Sequence, residues 1–201
     1  MAMDGTEKKA RLLKGAVLSV AQYGLENTTI RTIGKFAGIN EAYTYRYFDS
    51  KDHLLAQAYI AENGKLMKLL LRAIEHENRL IDSRSLEERS AYVIREAWKY
   101  LVDSPDICRF LVYYYHSPSF VKYAMEDHAK WIDRLAELLH PVIPDRDEAV
   151  TLLYTVFDLI YGFAVQVADG RLPDTVETEG RVFGSTYTVI SARCGKTKTQ
   201  E

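Results

Sequence analysis

The side chains with the most chemistry to offer lie within one short stretch. Thr29, Arg31, Asn40, Glu41, Tyr43, Tyr45, Arg46, Tyr47 and Lys51, with the small Ala42 among them, gather hydroxyls, an amide, a carboxylate, phenols and cations. Such a set donates and accepts hydrogen bonds and attracts anions. It does not supply what bond-breaking requires. His76, His116, His128 and His140 have no metal-ligand spacing, and Glu126-Asp127-His128 lacks the i, i+4 ligand geometry of a helical zinc site. The sequence shows no serine at a nucleophile turn and no glycine loop that would cradle a phosphate. We therefore expect no enzyme activity, no metal and no cofactor. The chemistry on offer is recognition, with cations and hydroxyls for phosphates and polar side chains for base edges.

Those residues need elements to hold them. Leu13, Ala16 or Val17, Val20 and Gly24 recur at helical spacing and predict a first helix from about Lys8 to Tyr23, with Gly24 at its left-handed end. Thr28 or Thr29 caps a short second helix whose Ile30, Ile33 and Ala37 share one face. Gly38 permits the sharp reversal that follows. Asn40 then caps a third helix, running to about Tyr47, that is too short to make a core of its own. With Ile30, Ile33, Ala37 and Ile39 buried against the first helix, the third is left with an exposed polar, aromatic and basic face. A helix of this size enters a DNA major groove with its N-terminal end toward the bases.

From Leu12 to Leu54 the chain resembles the N-terminal domain of the TetR family of regulators. The residues that carry the resemblance are Gly24, Thr28-Thr29, Ile30 with Ile33, Ala37-Gly38-Ile39, Tyr45-Arg46-Tyr47-Phe48 and Ser50-Lys51. It implies that Thr29, Tyr45, Tyr47 and Lys51 contact phosphates and that Arg31, Glu41, Ala42 and Tyr43 approach bases. Several positions depart from the family pattern. Ala42 stands where Gly is frequent, Thr44 where an apolar residue is usual, and Gly34 where Ala is common. Glu41 puts a negative charge where many relatives are basic or neutral, and His53 takes the place of the capping-box acid after Ser50.

The bulk composition agrees with a small recognition module on a larger body. Residues 1–52 hold eight Lys or Arg against six acids, and the remaining residues hold 18 against 22. A basic head on an acidic body is what this predicts. The start of the chain shows no basic cluster followed by an apolar run, and the most apolar stretch, 152–168, carries Asp158 and Gln166. Cys108 and Cys194 have no partner motif and read as reduced thiols. The expectation is a cytoplasmic protein without a membrane.

Beyond the head, periodicity predicts a long helix from Ser50 toward Glu77. Five more follow at about 85–103, 105–115, 118–140, 146–169 and 174–193, broken at Pro105, Pro118, Pro141 with Pro144, and Gly170 to Pro173. The expected fold is all-α with about nine helices. Its divisions are a helix-turn-helix domain over 1–52, a helical effector-binding and dimerisation domain over 53–194, and a tail over 195–201. The C-terminal region is rich in aromatics, and Phe110, Tyr113, Tyr114, His116, Trp131, Phe157 and Tyr161 are the candidate lining of a pocket for a planar or largely apolar molecule.

The last two predicted helices carry apolar stripes. One is Val150, Leu153, Phe157, Tyr161, Ala164 and Ala168; the other is Val176, Gly180, Phe183, Tyr187 and Ile190. Given the resemblance, these read as a homodimer interface. The expected function is a ligand-responsive DNA-binding transcriptional regulator. It would be a repressor that grips a palindromic double-stranded operator as a homodimer and is released by a small apolar effector. The alternative is a helical small-molecule-binding or adaptor protein without useful sequence-specific DNA binding.

Overall fold

The computed structural model describes residues 4–194, and its regular structure there is entirely helical. Ten helices follow one another: α1 Gly5–Asn27, α2 Ile30–Ala37, α3 Glu41–Thr44, α4 Lys51–Asn78, α5 Leu86–Val102, α6 Pro105–Tyr115, α7 Pro118–Tyr123, α8 Met125–Leu139, α9 Arg146–Ala168 and α10 Val176–Cys194. The count exceeds the expected nine because the single helix read over 118–140 is two. Ala124 leaves helical geometry (φ −132°, ψ −12°) between α7 and α8, at a buried position with no glycine or proline to announce the break. The expected tail over 195–201 lies outside the described residues.

The chain divides into two compact units. Residues up to Asn63 join Pro105–His128 in the first, and Gly64–Ser104 join the residues from Ala129 onward in the second. The expected division at 52/53 falls inside the first unit.

In the first unit α1 starts earlier than its periodicity announces, because Asp4 caps it: the Asp4 carboxylate accepts from the Glu7 N–H at 2.7 Å. Leu12, Ala16, Val17 and Val20 form its buried face. Gly15 lies among them, and a Cβ there would sit 2.6 Å from the Ile33 carbonyl oxygen. The missing side chain lets α2 lie directly on α1. Gly24 breaks α1 at φ +77°, ψ 168°, and the last turn closes on the Thr28 hydroxyl, which donates to the Gly24 carbonyl at 2.8 Å. Cys108, Phe110, Leu111, Val112 and Tyr114 are the buried face of α6 in the same unit.

The second unit is built on α9, whose Ala149, Leu152, Leu153, Phe157, Ile160, Tyr161, Ala164 and Val165 are buried. By length and mean hydropathy α9 is long and apolar enough to cross a membrane; in this fold it packs on α5 and α10. α5 opens with a full capping box, in which the Ser85 hydroxyl accepts from the Glu88 N–H at 3.2 Å and the Glu88 carboxylate from the Ser85 N–H at 2.9 Å.

The register of α10 differs from the expected stripe. Thr178, Val182 and Thr186 are its buried residues. Thr186 is tolerated there because its hydroxyl donates to the Val182 carbonyl at 2.7 Å, leaving an isostere of valine facing the core. Phe183, Tyr187 and Ile190 remain half-buried, and Val176, Gly180 and Gly184 are exposed.

Candidate functional site

α2 and α3 make the reversal that the sequence predicts. Thr29 caps α2 in a box closed by Thr32, which takes the role of the usual acid: the Thr29 hydroxyl accepts from the Thr32 N–H at 3.1 Å, and the Thr32 hydroxyl accepts from the Thr29 N–H at 2.9 Å. Gly38 is left-handed (φ 66°, ψ 32°) and ends α2. Gly34 is required by the turn, since a Cβ on it would meet the Ile39 carbonyl oxygen at 2.6 Å. Asn40 caps α3, its carboxamide oxygen accepting from the Ala42 N–H at 2.9 Å. α3 proper is a single turn, and residues 45–47 continue it as hydrogen-bonded turns.

Thr44 and Phe48 are the two buried residues of this segment, and they orient everything else outward. Tyr45 is 58 % exposed and Tyr43 43 % exposed, with Glu41, Ala42 and Arg46 open to solvent beside them. The Arg46 guanidinium lies 4.7 Å from the Tyr43 ring centroid, and the Lys8 ammonium lies 5.7 Å from the same ring. Lys9 stands over Phe48 at 5.7 Å. A rigid tyrosine edge is thus backed by cations from two segments far apart in sequence. Thr29 and Arg31, at the start of α2, are exposed as well.

Lys51 has a structural role besides any contact with a partner. Its ammonium donates to the Thr28 carbonyl at 3.0 Å, tying the start of α4 to the turn before α2. Ser50 caps α4 by accepting from the His53 N–H at 3.0 Å, and the His53 ring stands edge-on to Phe48 at 5.8 Å.

The aromatics expected to line a pocket fall in both units. In the first, Tyr59 stacks on Tyr114 at 5.1 Å, Phe110 lies 6.0 Å from Tyr114, and both Phe110 and Tyr114 are fully buried. Burial raises the Tyr114 phenol well above its ordinary pKa, and its hydroxyl donates to the Ser119 carbonyl at 3.3 Å. Tyr113 is half-buried, and His116 is exposed against Tyr115 at 5.0 Å. In the second unit Trp131 is half-buried under Arg134 at 5.0 Å, while Phe157 and Tyr161 stand on the wall of a cavity of about 50 Å³. A neighbouring cavity of about 110 Å³ shares Ile74, Val93, Ile94, Leu153 and Val156 with it and continues to Arg89, Ser90 and Glu77.

Residues 12–58 match the family described as bacterial regulatory proteins, tetR family. The head is a tetR-family helix-turn-helix. Solved structures extend the likeness to the fold of the chain. A TetR family transcription regulator from Marinobacter aquaeolei VT8 is 21 % identical with a TM-score of 0.69, over 92 % of this chain and 95 % of that one. A transcriptional regulator from Pseudomonas aeruginosa PAO1 gives a TM-score of 0.70 at 16 % identity, over 96 % and 93 %. The transcriptional regulator FadR from Bacillus subtilis, solved in complex with stearoyl-CoA, gives 0.68 at 16 % identity, over 88 % and 96 %. No curated protein sequence matches the chain.

Against the tetR pattern, the departure at Gly34 is the turn's own steric requirement, and the one at Thr44 is absorbed in the core. Two features were not legible in the sequence, one in the head and one in the second unit. Lys8 and Lys9 were visible only as basic composition, because nothing local places the first turn of α1 beside Tyr43 and Phe48. The aliphatic cavity of the second unit has no local signature, because Ile, Val and Leu at helical spacing read as core whether or not they enclose a space.

Proposed function

We propose that this chain is a ligand-responsive DNA-binding transcriptional regulator, a repressor that holds a palindromic operator as a homodimer. The exposed edge of α3 carries the reading: Tyr43, Tyr45 and Arg46 project from a helix fixed by buried Thr44 and Phe48, with Lys8 and Lys9 beside them. Tyr43, Ala42, Glu41 and Arg31 approach bases, and Thr29, Tyr45, Tyr47 and Lys51 take phosphates. Asn40 serves through its cap, which points the N-terminal end of α3 into the groove. One such head is too small for high specificity, so two are needed, one per half-site. The exposed Gly180 and Gly184, with half-buried Phe183 and Tyr187, offer a face on α10 for the second copy.

The effector reading rests on the second unit. Ile74, Glu77 and Asn78, in the last turns of α4, line its larger cavity, and the first turns of the same helix are anchored in the head by Ser50 and Lys51. An occupant acts on the far end of the helix that leaves the reading head. That a regulator of the same fold was solved with stearoyl-CoA favours a small amphiphile as effector. Release follows to the extent that the occupant prefers the conformation that does not bind DNA. Selection of bound sequences from random DNA tests the proposal. Two-fold symmetric sites bound by a dimer are expected, and asymmetric sites bound by a monomer would contradict it.

A further inference from the structure

The larger cavity of the second unit is almost entirely aliphatic, walled by Ile74, Val93, Ile94, Leu139, Leu152 and Ile190 among others. At one end stands Arg89, which is only 8 % exposed. Its guanidinium Nε is buried without a hydrogen-bond partner, and among the described residues no carboxylate lies within 4 Å of the group. Glu77, in the same wall, is engaged through Oε1 with Arg84 at 2.8 Å and with His76 at 3.1 Å, while its Oε2 is buried without a hydrogen-bond partner. A positive charge held in an apolar wall without a counter-charge is costly, and such groups are ordinarily paired. The fold has ion pairs to spare elsewhere in this unit, as in Arg95–Glu179 at 2.9 Å and Arg146–Asp133 at 2.6 Å, yet gives Arg89 none.

We propose that Arg89 is the anchor for the carboxylate of a straight-chain aliphatic acid, whose hydrocarbon tail runs from the larger cavity along the wall it shares with the smaller one, toward Phe157 and Tyr161. The guanidinium fork suits a carboxylate, which it can hold with two parallel N–H donors. The tail's path follows α5: Arg89 and Val93 flank the first cavity, while Val93 and Ala97 flank the second. From Arg89 to Ala97 is a rise of roughly 12 Å along the helix, the reach of a medium-length alkyl chain. Flexible aliphatic walls accept such a chain more readily than a rigid fused ring. This deepens the effector reading above and rests on it only for the consequence at the operator.

Calorimetric titration of the full-length chain with octanoate and with 1-octanol tests the site directly. The two probes share a tail and differ in the charged end. Octanoate should bind at least tenfold more tightly, and Arg89→Met should erase that preference while leaving the affinity for 1-octanol within about twofold. Because Arg89 makes no hydrogen bond or ion pair with another described residue, the variant should melt no lower than the parent, which separates loss of the anchor from loss of the fold. Val93→Trp, at a half-buried position facing both cavities, should abolish binding of both probes. Equal affinities for the two probes, or a preference that survives Arg89→Met, would overturn the carboxylate anchor and leave an apolar effector cavity intact. Binding of neither probe would overturn the site itself. Octanoate that binds as expected but leaves DNA retention unchanged confirms the site and counts against the effector role alone.

Discussion

Tyr43 and Lys51 belong to the same head, and the base-reading role proposed for one and the phosphate contact proposed for the other should separate under single substitutions. Lys51→Ala should weaken binding to every DNA sequence and reduce the slope of log affinity against log salt by about 0.9, the contribution of one phosphate. It should also cost on the order of 1 kcal/mol of stability, because the ammonium is hydrogen-bonded to the Thr28 carbonyl. Tyr43→Ala should instead change base preference within a half-site, by roughly 1–3 kcal/mol at the position it reads. Titrations against a panel of operator variants check both, and identical behaviour would show the assignment of roles to be wrong. Gly34 gives a sharper test of the turn. Alanine is favoured over glycine in a helix by about 1 kcal/mol, so local preference alone would have Gly34→Ala stabilise α2. The Ile39 carbonyl oxygen, 2.6 Å from the added Cβ, reverses the sign, and thermal melting should show a lower Tm. At this scale type and spacing mark the candidate recognition residues in the sequence, and a departure from the tetR pattern marks Gly34. It could not expose Lys8 beside Tyr43, because that contact exists only once α1 is packed.

Helices that carry their own punctuation were legible. Pro105 opens α6, Pro118 occupies the first turn of α7 after the Ser117 cap, and Ser85 with Glu88 starts α5. What local signals do not encode is the choice of face. α10 has an apolar stripe through Phe183, Tyr187 and Ile190, yet the fold buries Thr178, Val182 and Thr186, whose slimmer side chains fit against α5 and α9. The stripe left half-open contains Phe183 stacked on Tyr187 at 5.7 Å and 14°, with Gly180 and Gly184 exposed alongside. Among the described residues, nothing beyond its chain neighbours and its own helix backbone lies within 4 Å of a Cβ built at Gly184. Gly184→Arg should therefore leave the helix content and the fold of the protomer unchanged while dissociating a dimer that uses this face. Light scattering coupled to size exclusion reads the result. A variant that stays dimeric would place the interface elsewhere, and one that unfolds would mean that the position is part of the protomer core.

For the whole molecule, folding should depend on pH through His128. Burial holds this imidazole at about 4, below its ordinary 6.5, beside the Tyr59 hydroxyl and the rings of Tyr115 and Phe120. The unfolded chain therefore takes up a proton that the folded chain refuses. The stabilisation from the neutral form is complete above pH 6.5 and is lost as pH falls from 6.5 toward 4, by roughly 3 kcal/mol in all. Chemical denaturation across that window should show the loss, and His128→Gln should flatten it; an unchanged pH dependence in the variant would place the titrating group elsewhere. Specific DNA binding should turn on the exposed edge of α3. The most direct measurement is fluorescence anisotropy of the full-length protein on a duplex recovered by selection from random sequence, beside a scrambled duplex at the same salt. The selected duplex should bind at least a thousandfold more tightly, its sequence should have two-fold symmetry, and Tyr43→Ala should cut the preference by at least about fivefold. Equal affinity for the two duplexes, or a preference indifferent to Tyr43, would contradict that role of α3.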